Sequence, residues 1–172
     1  MSCARSGSDY LAARDARQAQ ILAACAEARE ARAGAVLVAG ANLPGPDKDR
    51  QGLERLLRRG LAALANRGAQ ITPAVTGTDL LGPYAILLAR EPAAAIKALA
   101  VALERDLPGG RLLDLDVLTP NAEPVDRRSL GLEPRCCYVC DQPAHDCMRL
   151  ARHSLRELLA AVDAHLASAN AR

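Results

Sequence analysis

The 172-residue chain contains no phenylalanine, no tryptophan and only three tyrosines. A chain this poor in aromatic side chains offers no stacking platform for single-stranded nucleic acid, and its core has to be assembled from Leu, Ala, Val and Ile. Neither sign of charge is in excess. The balance of 22 Lys and Arg against 20 Asp and Glu gives +2, which does not suggest a general nucleic-acid binder. No run of 18 apolar residues occurs, so a membrane-spanning helix is not expected. The opening Met1-Ser2-Cys3-Ala4-Arg5-Ser6 lacks the apolar stretch of a signal peptide. The expected location is the cytoplasm, where the six cysteines would be thiols or metal ligands rather than disulfides. Half of the residues are hydrophobic, enough to give residues 1–172 one domain with a real core.

The pattern along the chain alternates helices and strands. Residues 8–33 read as an amphipathic helix with Ser8 as N-cap and Gly34 as its stop. A short buried strand, 35–39, leads into the turn-rich loop Gly40-Ala41-Asn42-Leu43-Pro44-Gly45-Pro46-Asp47-Lys48, where two prolines around a glycine forbid regular structure. A helix is expected over 50–67, strands over 69–76 and 84–89, and a helix over 92–106. A strand over 111–118 follows, with residues 121–125 turning it back as a hairpin. A Cys-rich loop spans 135–147 and a final helix about 143–168. Such alternation argues for one α/β or α+β domain.

The most informative stretch is Gly110-Arg111-Leu112-Leu113-Asp114-Leu115-Asp116-Val117. On a strand, side chains alternate, so Asp114 and Asp116 point to one face. Two neighbouring carboxylates in an apolar strand repel each other and are costly to bury. A divalent cation relieves that cost, and Mg²⁺ characteristically takes one or two carboxylates together with substrate phosphates. The pair therefore points to phosphoryl or nucleotidyl transfer. Two solvated carboxylates at a sheet edge are the alternative.

A second cluster lies near the end. Cys137 and Cys140 have zinc-knuckle spacing, and Cys147 with His153 or His145 completes a four-ligand set. The alternative is a group of buried thiols packing the last helix. Cys3 and Cys25 stand apart from it. Arg149, Arg152, His153 and Arg156 share a face of the expected last helix, as Arg14 and Arg17 do on the first. Such arginines are either a solvated face or a grip on phosphate.

In order along the chain, these segments resemble a known family. Ala13-Arg14-Asp15-Ala16-Arg17-Gln18-Ala19-Gln20 is similar to its Arg- and Gln-bearing opening helix. Asn42-Leu43-Pro44-Gly45-Pro46-Asp47-Lys48 resembles its Asn-x-Pro-Gly-Pro-x-Lys loop, with Asp47 where an apolar residue is more usual. Thr76-Gly77, the Gly110-to-Val117 stretch, and then Arg127, Leu130-Gly131-Leu132, Arg135, Cys137, Cys140, Ala144, Cys147, Arg149 and His153 follow the family's spacings. Cys136 stands where the family often has a basic residue. The family is the holo-acyl-carrier-protein synthase of citrate lyase, or apo-citrate lyase phosphoribosyl-dephospho-CoA transferase.

The resemblance implies an α+β domain with a nucleotidyltransferase-like mixed sheet flanked by helices, a Cys-rich loop and a C-terminal helix. It implies transfer of the 2′-(5″-phosphoribosyl)-3′-dephospho-CoA group from its triphosphate precursor to a serine of the apo acyl carrier protein of citrate lyase, with diphosphate leaving. Asp114 and Asp116 would be the catalytic, Mg²⁺-holding pair. Lys48, Arg111, Arg14, Arg17, Arg127 and Asn42 would bind the donor. The zinc reading of Cys137, Cys140, Cys147 and His153 rests on their own spacing, as a structural set, since a transfer to the carrier's serine needs no thiol. Two other readings compete: the equivalent synthase of malonate decarboxylase, and a non-catalytic, zinc-stabilised assembly factor for the lyase.

Overall fold

The computed structural model describes residues 7–45, 48 and 50–170; Cys3 and the Pro46-Asp47 part of the loop motif lie outside them. Five strands form one sheet: β1 (Ala35–Ala41), β2 (Ile71–Asp79), β3 (Gly82–Ala89), β4 (Leu113–Leu118) and β5 (Pro124–Val125), in spatial order β2-β3-β1-β4-β5. The expected α+β class holds. All four pairings of the sheet, expected to be mixed, are antiparallel. The reason lies in the connections. β2 and β3 form a hairpin, and β3 then pairs with β1. The two helical crossovers, β1 to β2 and β3 to β4, each skip over one strand, so strands that run parallel are never neighbours.

Helix α1 (Gly7–Glu30) lies on one face of the sheet. Its Ala24, Cys25 and Ala28 pack on Val36, Tyr84, Ile86 and Leu88. Helices α2 (Leu53–Asn66) and α3 (Ala93–Asp106) and the C-terminal helix cover the other face, where Leu37, Leu87, Leu113, Leu115 and Val117 meet Leu56, Ile96, Leu103 and Val162. β3 is buried along its whole length, as its near-continuous apolar sequence requires of a strand covered on both faces.

Two expectations at the chain's turns change. The stretch before the Asp pair is not strand throughout: Gly110–Leu112 form a 3₁₀ turn, entered through Gly109 at φ 77°, and β4 starts at Leu113. A Cβ at Gly109 would stand 2.7 Å from Ala169 Cβ, so both the backbone angle and the space call for glycine there. The final helix is two helices, α4 (Ala144–Arg149) and α5 (Leu155–Asn170). Between them Ala151 takes φ 46°, and Arg152 N–H donates to the Cys147 carbonyl at 3.0 Å, which reverses the chain. Ser154 and Glu157 then start α5 with a capping box, Ser154 N–H to Glu157 Oε2 at 2.8 Å and Glu157 N–H to Ser154 Oγ at 3.3 Å. Arg149, Arg152, His153 and Arg156 therefore do not share one helical face.

Candidate functional site

A single helix is about 10–12 Å across, and strands are spaced at about 4.8 Å. Helix α1 thus covers little more than two strands, and it lies over β1 and β3. The same face of β4 is left open. Leu113, Leu115 and Val117 point to the core, so Asp114 and Asp116 point to this open face. Their side chains are 45% and 70% exposed. Asp116 lies across from Val38 and Asp114 across from Gly40 of β1. The result is a cleft of about 1060 Å³, with Gln18 and Ile21 of α1 on one side and Val125, Arg127, Arg128 and Arg135 on the other. Asn42 and His145 also line it.

The wall beside the carboxylates is a network of charges. Helix α3 runs along β4 and turns two ionic side chains, Lys97 and Glu104, towards the strand's free edge. Leu115 N–H donates to Glu104 Oε1 at 3.2 Å, and Lys97 Nζ donates to the Leu115 carbonyl at 2.8 Å. Both groups are buried, and together they satisfy a stretch of β4 that β5 does not reach. Glu104 also takes Arg127 on Oε2 and Arg135 Nη2 on Oε1, the latter at 2.6 Å. Arg135 Nη2 lies 3.3 Å from Asp114 Oδ1, and Lys97 Nζ 3.9 Å from Asp116 Oδ1. Arg135 Nη1 is enclosed and has no partner.

The pKa of Asp116 is raised above the ordinary carboxylate value. Although the side chain has open surface, it sits in a concave cleft with protein around it, and this loss of hydration is the main cause; repulsion by Asp114 adds to it, while Lys97 and Arg135 oppose it. Like-charge crowding of this kind favours either a proton or a cation.

The other expected donor-binding residues separate into groups. Arg127 and Asn42 line the cleft with the Asp pair. Arg111 lies on the far side of the wall, in a neighbouring cleft of about 730 Å³ that shares Arg127, Arg135 and Leu132 with the first. Its guanidinium stacks 4.7 Å from the centre of the Tyr138 ring, and Tyr138 O–H donates to the Asn42 carbonyl. Burial pushes the Tyr138 phenol up to about 12, with Arg111 and Arg135 pulling the other way. Lys48 is turned back on its own loop, its Nζ donating to the Leu43 carbonyl, and burial lowers its pKa. Arg17 is held by Asp79, Nε to Oδ2 at 3.1 Å, and lies 4.1 Å over the Tyr84 ring. Arg14 is exposed on α1.

No sequence motif points to Lys97 or Glu104 as site residues, and the spacing of Arg135 gives it no role of its own. The signal for the first two is their spacing with Ile96, Ala100 and Leu103, which places two charges on the apolar stripe of a helix. A charge on such a stripe needs a buried partner.

Cys137, Cys140, Cys147 and His153 come together, with one candidate ligand atom from each lying within 4.8 Å of the others. The group can hold a metal ion. His145, the alternative fourth ligand, faces the carboxylate cleft instead. At Cys137 burial pulls the thiol up, but hydrogen bonds from the Val139 and Cys140 amides and the Cys147 and Cys140 thiols outweigh it and lower the pKa. Cys147 is pushed up to about 12 by burial and by its bonds to the other two thiols.

A cleft with paired acids on its floor and arginines in its wall offers oxygen ligands to a cation beside donors for an anionic group. Comparison with known proteins gives the family. A family model described as apo-citrate lyase phosphoribosyl-dephospho-CoA transferase matches residues 6–169. Proteins of that name from Escherichia coli O139:H28 (strain E24377A / ETEC) and from Escherichia coli O8 (strain IAI1) are each 39% identical over 127 residues, covering 72% of this chain and 69% of theirs. One from Shigella boydii serotype 18 (strain CDC 3083-94 / BS512) matches to the same extent. The chain belongs to the apo-citrate lyase phosphoribosyl-dephospho-CoA transferase family. No helix among the described residues is long and apolar enough to cross a membrane.

Proposed function

We propose that this protein, as one transferase domain over residues 1–172, moves the 2′-(5″-phosphoribosyl)-3′-dephospho-CoA group from its triphosphate precursor to a serine of the apo acyl carrier protein subunit of citrate lyase. The reaction is a nucleotidyl transfer in the cytoplasm. The observation that carries this reading is the pair Asp114 and Asp116, open to solvent on a cleft floor and bordered by Arg127, Arg128 and Arg135. In the reaction the serine oxygen forms a bond to the phosphorus next to the ribose. The bond from that phosphorus to the bridging oxygen breaks, diphosphate leaves with its electron pair, and the serine proton passes to one of the carboxylates or to solvent.

The donor set fits Mg²⁺. Asp114 and Asp116 offer hard oxygen ligands on one face, and their open surface leaves room for water and phosphate oxygens. When bound there, Mg²⁺ supplies positive charge against the phosphates and the departing diphosphate. The chain's own arginines do the rest of the positioning. Arg127 and Arg135 line the cleft and are held in place there by Glu104, where their guanidinium groups can meet phosphate oxygens. Asn42 lines the same cleft. Arg111 across the wall binds a more distant part of the long donor, and Arg14, on the exposed side of α1, meets phosphate from solvent. Lys48 and Arg17 reach the donor only by exchanging their present partners. Asp114→Asn tests the reading: it should abolish transfer to the carrier protein while leaving the fold intact, and near-normal transfer would remove the pair from the chemistry.

A further inference from the structure

Between Leu118 and Ala161, Cys147 is the one residue, among those described, that is buried from solvent. Apart from Ala122, Val125 and Tyr138, which pack part-buried against the core, the stretch has little apolar burial to hold its shape. It is nevertheless ordered into a small hairpin, closed by Cys137 N–H to the Gln142 carbonyl and Ala144 N–H to the Arg135 carbonyl, both at 2.8 Å. The hairpin runs straight into α4 and the tight reversal at Ala151, which returns His153 to the cysteines. Each of these turns delivers a ligand to the same point.

We propose that Cys137, Cys140, Cys147 and His153 bind one zinc ion, and that this ion clips residues 135–153 into the wall of the cleft. The sulfurs of Cys140 and Cys147 are 3.5 Å apart, and Cys140 Sγ is 3.3 Å from His153 Nε2. With Zn–S near 2.3 Å and Zn–N near 2.0–2.1 Å, the edges of a tetrahedral site are roughly 3.5–3.8 Å. A disulfide has its sulfurs about 2.05 Å apart, and it would leave the third thiol and the imidazole without a role. Three thiolates and an imidazole are too soft a set for Mg²⁺ or Ca²⁺ and suit zinc. Four protein ligands leave no open position, which marks a structural rather than a catalytic site. Val139 N–H faces Cys137 Sγ at 3.5 Å, the kind of backbone contact that supports a metal-bound thiolate.

The clip acts on the cleft through the residues next to the ligands. Arg135, two positions before Cys137, reaches Glu104 and Asp114. Tyr138, between the first two ligands, carries Arg111 on its ring and donates to Asn42. The zinc assignment is independent of the transfer reaction; its link to catalysis rests on the reading of the Asp pair above.

The test uses the full chain purified without a histidine tag. Elemental analysis should find one zinc per chain, falling to near none in Cys137→Ser and His153→Ala. Should those variants fail to accumulate, wild-type protein stripped by a chelator is titrated with Co²⁺. It should develop the visible bands of tetrahedral cobalt–thiolate coordination, which zinc then bleaches. Hydrogen exchange over 135–153 should be several-fold faster after zinc removal, while β1 and β3 stay protected. Absence of both zinc and cobalt bands overturns the site. Bound zinc with exchange over 135–153 unchanged on its removal overturns the clip. Neither result bears on whether the protein transfers its donor, which a mass measurement on the carrier protein reads separately.

Discussion

Arg135 Nη2 lies 2.6 Å from Glu104 Oε1, and the same nitrogen is 3.3 Å from Asp114 Oδ1. A buried acid on a helix thus aims a cation at the carboxylate floor of the cleft. Glu104 is only 5% exposed, and a buried charge is tolerated only when paired and hydrogen-bonded. Here it has two arginines and the Leu115 amide.

Glu104→Gln should therefore cost stability. It removes the charge that balances Arg127 and Arg135, although the amide oxygen can still accept from Leu115. The expected loss is about 2–3 kcal/mol, read as a lower urea midpoint with an unchanged slope. Transfer activity should fall as well, because Arg135 loses its anchor. An unchanged midpoint would mean that the arginines do not need this partner.

Asp116→Asn should show a pH signature. The folded-state pKa of Asp116 is raised, chiefly by loss of hydration and then by Asp114. A group of this kind favours the folded state when protonated, below its unfolded value of about 3.9, and that contribution is lost as pH rises through the folded value. At neutral pH the ionised side chain weighs against folding, and the asparagine does not. The variant should melt higher than wild type near pH 7, and the difference should shrink towards zero in acid. A variant that melts lower at pH 7, or equally at all pH values, would contradict this.

Gly40 lies directly across from Asp114 on β1. A Cβ there would meet only Pro83 O at 3.8 Å and Arg17 Nη1 at 3.9 Å, which is ordinary contact. Gly40→Val should fold as well as wild type or better, since a β-branched residue suits a strand. Its side chain would crowd the space beside Asp114, so donor affinity should drop about tenfold or more, a change of about 1.4 kcal/mol. Calorimetric titration with the triphosphate precursor measures this, and unchanged affinity would place the donor elsewhere.

Much of this was legible in the residues themselves. The Asp pair announces a strand with one acidic face, because Leu113, Leu115 and Val117 fix which face is core. The Cys and His spacing announces a cluster. Tertiary partners were not legible in the same way. Arg17 reads as a free cation on a helix, but its partner Asp79 is 62 residues away and no local pattern links them. The final helix reads as continuous because its composition is helical throughout. His153 breaks it by belonging to the cysteines, and the left-handed Ala151 carries the turn. The open face of β4 follows from the width of α1, a geometric fact that no segment of sequence states.

The central claim is that Asp114 and Asp116 support transfer to the carrier protein. Its most direct test is the intact mass of the apo carrier protein after incubation with this protein, the triphosphate precursor and Mg²⁺. Wild type should add the mass of one phosphoribosyl-dephospho-CoA group to the carrier, and Asp114→Asn, folded to the same extent, should add none. Full modification by Asp114→Asn, or none by wild type, would contradict the account.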